Sequence, residues 1–195
     1  MSYIRFVSLI LVAAAAPLRA QTTRPPAGPT FGVAVGVSRL RLTDLPSLPG
    51  VRGTDVSIGW HAGWQTAGRF AVLLAATSSP YRYAGGGRSR KRAFESITPT
   101  VEYRASDQLR LQAGAGLQLD APVFWDVRNA PGERRFSRGL GVVLGASVTP
   151  GRSSSWQPEL RARWNRGFAD LPEGRVQGQA TALLLGVRRD PRPWR

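Results

Sequence analysis

The chain has no cysteine, a single lysine (Lys91), a single histidine (His61) and a single methionine in 195 residues. Without cysteine, a small secreted scaffold stapled by disulfides is excluded. With one histidine besides, no cluster of metal-ligating side chains can form around nitrogen or sulfur. Asp44, Asp55, Asp120 and Asp126 show no calcium-ligand spacing, so neither a metal nor a cofactor is expected. Long apolar runs are also lacking. The only one spans Phe6 to Ala16, about half of the roughly 20 residues a spanning helix needs. If the mature chain lives in a membrane, it must do so as a closed barrel, because only helices and closed barrels satisfy their backbone hydrogen bonds in lipid.

That apolar run follows Arg5 and precedes Pro17-Leu18-Arg19-Ala20. A charged start, an apolar core and a small residue before the cut form the layout of an export signal. Residues 1–20 are read as a signal peptide cut after Ala20. Residues 21–30, rich in Pro, Thr and Gly, are read as a flexible lead-in, residues 31–188 as one domain, and 189–195 as a C-terminal tail. The formal charge is +15, and cleavage removes only Arg5 and Arg19. For an exported protein this excess favours lipopolysaccharide phosphates or acidic periplasmic polymers over nucleic acid. A GC-rich genome, which enriches arginine over lysine, accounts for the bias equally well.

Eight segments alternate with period two: Phe31–Leu42, Thr54–Trp64, Arg69–Thr77, Ala93–Arg104, Leu109–Leu119, Arg138–Thr149, Trp156–Arg166 and Arg175–Arg188. The fifth is the cleanest. Leu109, Leu111, Ala113, Ala115, Leu117 and Leu119 share one face; Arg110, Gln112, Gly114, Gly116 and Gln118 share the other. The third and eighth are blurred by Leu73–Leu74 and Leu183–Leu184–Leu185, so their facing is left open. Short connections (Gln65–Gly68, Ala105–Gln108, Pro150–Ser155) alternate with long ones (Thr43–Gly53, Ser78–Arg92, Asp120–Ser137, Gly167–Gly174). Short periplasmic turns and long extracellular loops are the habit of bacterial membrane barrels. The expected fold is all-β: an eight-stranded antiparallel up-and-down transmembrane β-barrel.

Alternation alone also fits a soluble, lipocalin-like periplasmic binding barrel, whose apolar face would point inward. Two features favour the inverted polarity. The non-apolar face is rich in glycine, which weakens an exposed strand but suits the narrow bore of an eight-stranded barrel. Aromatics also sit on the apolar parity beside the short turns: Phe31, Trp64, Phe70, Tyr103 and Trp156. They predict a girdle at one membrane interface, with Trp164 a candidate for the other.

On this pattern of strands, turns and aromatics, over about residues 31 to 188, the chain resembles the small eight-stranded outer-membrane proteins of the OmpA, OmpX and OmpW-like kind. It has no C-terminal peptidoglycan-binding domain, and Trp194 is penultimate where such barrels usually end on an aromatic of the last strand. The resemblance implies a monomer in the bacterial outer membrane, delivered by the barrel assembly machinery and surrounded by outer-membrane lipid and lipopolysaccharide. Passage of a small hydrophobic molecule through a lateral opening is implied only by the OmpW-like branch.

Three groups of residues carry candidate chemistry. The inward parity collects Glu102, Arg104, Arg110, Glu159, Arg161 and Arg163, and buried charges must pair or cost several kcal/mol per ion. A polar network plugging the lumen is expected, with Glu102 and Arg110 meeting across a short turn. The second long loop carries Arg82, Arg88, Arg90, Lys91 and Arg92, whose guanidinium forks suit phosphate; a basic extracellular contact surface is expected there. His61 faces the lumen with Ser57 and Asp55 on the same strand face. Those spacings are too wide for a chain of hydrogen bonds, so no catalytic residue is assigned. A lipid A-modifying enzyme centred on His61 stays as an alternative to a structural or surface-interaction role.

Overall fold

A computed structural model describes residues 26–43, 52–85, 88–123, 137–150, 155–171 and 174–191. The leader, residues 21–25 of the lead-in and the end of the tail lie outside them. Eight strands follow one another: β1 (Gly28–Leu42), β2 (Arg52–Gln65), β3 (Phe70–Gly85), β4 (Arg88–Arg104), β5 (Leu109–Pro122), β6 (Ser137–Val148), β7 (Trp156–Leu171) and β8 (Gly174–Arg189). Each pairs antiparallel with its sequence neighbours, and β8 returns to β1, so the sheet closes with no free edge.

Polarity is inverted relative to a soluble barrel. Val33, Val35, Val37, Val56, Ile58, Trp60, Leu140, Leu144, Leu183 and Leu185 are between 38 and 64 % exposed on the outside. Ser57, Arg110, Glu159 and Arg188 are wholly buried inside. This excludes the lipocalin-like arrangement, because an apolar band of this kind is stable only against lipid. The two blurred strands also resolve. In β3, Leu73 points in and Leu74 out; in β8, Leu184 points in while Leu183 and Leu185 point out.

The first two short connections are tight. Thr66 N–H donates to Phe70 O at 2.9 Å and Ala105 N–H to Leu109 O at 2.9 Å. The Gln65 amide fastens the first turn from within, donating to Gly68 O at 3.0 Å and Phe70 O at 2.9 Å. Beside these turns the aromatic residues face outward. Phe31 meets Trp156 edge to face at 5.1 Å, and Phe70 lies 5.3 Å from Tyr103.

At the opposite end the strands outrun the sequence-based boundaries. Residues 78–85 and 88–92 are not a loop: Ser78 pairs with Glu95 and the ladder continues to Gly85 opposite Arg88. Likewise β7 runs past Arg166 to Leu171 opposite Gly174. Backbone pairing needs no apolar alternation once the strands clear the lipid, so the pattern stops before the ladder does.

The bore differs along its length. Near the short turns it is charged. Toward the other end an apolar cluster fills it, with Leu40, Leu42, Tyr81, Phe94, Val176 and Ala180 packed together beside the buried Asp120. Register explains the space for them: Gly116, Gly141, Gly167 and Gly178 fall opposite one another across β5, β6, β7 and β8. Phe94, on the far wall, reaches over Gly178, where an added Cβ would run into its ring.

Candidate functional site

Strand parity delivers six charged side chains to the charged half of the bore. Glu102 and Arg104 come from β4, Arg110 from β5, and Glu159, Arg161 and Arg163 from β7; each is at most 2 % exposed. Two more join that were not foreseen in the sequence: Arg188 from β8 and Asp190 just after it.

Glu102 is the hub. Arg188 donates both terminal nitrogens to its two oxygens at 2.7 Å. Gln112 donates to it at 2.7 Å, and Arg110 Nε stands 3.6 Å away. The expected Glu102–Arg110 pairing is thus the looser of two contacts. Arg110 turns its Nη2 to Asp190 at 2.5 Å, and Arg188 Nε reaches the same carboxylate at 2.6 Å. Arg104 is 3.9 Å from Asp190. Thr30 donates to Asp190 at 3.1 Å, so the start of β1 is tied in as well. Burial pushes the Asp190 carboxyl up, but the guanidiniums of Arg188 and Arg110 outweigh it and hold the group below the usual carboxylate range.

Glu159 takes Arg161 at 2.5 Å. The same Arg161 Nη2 lies 2.5 Å from His61 Nδ1. A guanidinium has only donors, so Nδ1 accepts and the ring proton sits on Nε2. Neither a serine oxygen nor a carboxylate is hydrogen-bonded to His61 among the described residues. Ser57 instead donates to Ser78 O at 2.5 Å. Among the described residues the histidine is thus held by Arg161, with no nucleophile–base pair formed.

Of the five basic residues assigned to the second long loop, Arg82, Lys91 and Arg92 have described side chains, and these do not all face the same way. Arg82 is exposed. Lys91 stands 3.5 Å from Asp55. Arg92 turns inward, donating its Nε to Asp120 at 3.0 Å, and Tyr81 donates its hydroxyl to the same carboxylate at 2.9 Å. The hairpin ladder forces this alternation on side chains that a loop would leave free. The side chains of Arg88 and Arg90 lie outside the described residues. Among the described residues no His, Cys, Asp and Glu cluster suits a metal ion.

A closed antiparallel barrel of eight strands, apolar outside and charged within, has the fold of the small outer-membrane β-barrels. Solved structures with this fold include Ail, the attachment invasion locus protein of Yersinia pestis: 12 % identity, TM-score 0.53, covering 82 % of this chain and 97 % of that one. The same protein with the heparin analogue sucrose octasulfate gives 13 %, 0.51, 82 % and 98 %. Neisserial surface protein A gives 20 %, 0.50, 84 % and 99 %. No family model matches the sequence, and no curated protein matches it.

Proposed function

We propose that this protein is a non-conducting barrel of the bacterial outer membrane that acts through its outer surface, in a structural or surface-interaction role. The observation that carries this reading is the division between bore and exterior. Charged side chains fill one end of the bore and an apolar cluster the other, and eight strands enclose little more than side chains.

Outside, the apolar stripe of β1 gives way on the same face from Val37 to Arg39 and Arg41. By register, Arg41, Gln179 and Arg166 stand side by side on β1, β8 and β7. Arg82 and Arg138 are exposed at the same end of the molecule. A collar of arginine at the edge of an apolar band, at the end away from the short turns, suits the phosphates of lipopolysaccharide.

Planar bilayers containing the refolded protein test the sealed bore: steps of conductance absent in wild type support the reading, and stable open channels overturn it. Lipid A from cells with and without the protein should have the same mass spectrum. A change in acylation would instead revive an enzyme at His61.

A further inference from the structure

Charge in the bore does not balance. Between the short turns and the middle of the barrel, the described residues place five buried guanidiniums, Arg104, Arg110, Arg161, Arg163 and Arg188, against three buried carboxylates, Glu102, Glu159 and Asp190. His61 adds no charge in the tautomer that Arg161 imposes. Four of the arginines reach a carboxylate within 3.9 Å. Arg163 reaches none among the described residues; its one hydrogen bond goes from Nη2 to Thr98 Oγ1 at 3.1 Å.

Several of the unused donors lie together on one strand. Arg161, Arg163 and Asn165 follow one another on the inner face of β7, spaced about 6.6 Å apart by the strand rise. Arg161 Nε and Nη1, Arg163 Nε and Nη1, and Asn165 Nδ2 are all buried without a protein partner. Gln112 and Gln118 present unpartnered carbonyl oxygens in the neighbourhood, but a carbonyl supplies a dipole and no charge. Water would satisfy the N–H groups and leave the excess charge untouched. Guanidinium does not shed its proton in proteins, and an uncompensated buried ion is costly.

We propose that the middle of the bore binds a small inorganic anion of chloride size, held by Arg163 and Arg161 with Asn165 as a neutral third donor. The narrow bore selects against larger oxyanions. Thr98 positions Arg163 from the opposite wall, its hydroxyl oxygen accepting from the guanidinium and donating in turn to Ala75 O at 3.3 Å. With side chains filling both ends, the ion is taken up as the barrel closes and exchanges slowly afterwards.

The test is to unfold the purified protein in urea and refold it into detergent in chloride, in bromide and in gluconate at equal ionic strength. Crystals grown from the bromide sample should show an anomalous peak within hydrogen-bond distance of Arg163. Above the dissociation constant, each tenfold rise in chloride should lift Tm by roughly 3–6 °C, and Arg163→Met should lose that rise. A bromide map without a peak beside Arg163 overturns the proposal. So does a halide dependence that survives in Arg163→Met, which would place the ion elsewhere. If that variant does not fold, the bromide map of the wild type decides alone, and Asn165→Leu should weaken the chloride effect without abolishing it.

Discussion

Glu102 holds the charged end of the bore together, because among the described residues it is the only carboxylate taken by a bidentate guanidinium. Replacing it by glutamine removes the charge and leaves the two terminal nitrogens of Arg188 without their bidentate carboxylate, although its Nε keeps Asp190. Breaking a buried pair in this way costs about 3–5 kcal/mol. Glu102→Gln should therefore lower the urea midpoint of the refolded barrel well below wild type, whereas Glu95→Gln, on the half-buried outer face, should barely move it. Equal midpoints for Glu102→Gln and wild type would remove the hub. Asp190 gives a pH-dependent counterpart. Its folded carboxyl titrates below its unfolded value, so its contribution is present above the ordinary carboxylate pKa and is lost as pH falls through the folded one. Unfolding midpoints of wild type and Asp190→Asn should differ at pH 7 and converge below about pH 4; parallel curves would count against the pairing. Parity alone puts Glu102, Arg104, Arg110, Glu159, Arg161 and Arg163 on the inner face, since their strands alternate cleanly. Arg188 was hidden by the three leucines at 183–185, which erase parity in β8. Asp190 was hidden by lying past the last apolar residue, where no period remains to be counted.

Among the elements, the glycines of β5 to β8 carry a meaning that composition does not reveal. Glycine on an inner face signals a narrow bore, and that much is readable from alternation. Only register shows that four of them form one row, and only the fold shows Phe94 lying over its last member. Gly178→Ala would drive a methyl group into the Phe94 ring and against Leu42. Overpacking of this kind costs about 1–3 kcal/mol. The double variant Gly178→Ala with Phe94→Leu should recover part of that loss, so the two changes should be non-additive in a thermal unfolding cycle. Strict additivity would mean that Phe94 does not fill the space over the row. Element ends were the least legible feature, for a reason the same strands make plain. Apolar alternation records where lipid touches the barrel, while the ladders of β3 with β4 and of β7 with β8 continue beyond it. Arg82 and Arg92, both assigned to the second loop, part accordingly: a ladder turns Arg92 inward to Asp120 and leaves Arg82 outside.

For the whole molecule, the decisive property is that its apolar surface faces out, and this fixes how it must sit in a bilayer. The aromatic residues Phe31, Trp64, Phe70, Tyr103 and Trp156 mark one boundary of the lipid band. The change from Val37 to Arg39 on β1 marks the other. Eight residues of a strand tilted by about 40° separate Phe31 from Arg39, or about 20 Å, slightly less than the roughly 25 Å apolar band usual for such barrels. Trp60 lies four residues above Trp64 on the same outer face of β2, and so belongs deep in the acyl chains, whereas Trp64 and Trp156 belong at the interface. Variants retaining one of these three tryptophans, reconstituted into vesicles of lipids brominated at different depths, should separate them. Emission from Trp60 should be quenched most by bromine near the bilayer centre. Trp64 and Trp156 should respond most to bromine near the headgroups. A reversed order, or quenching of none of the three, would mean that the exposed band meets something other than lipid.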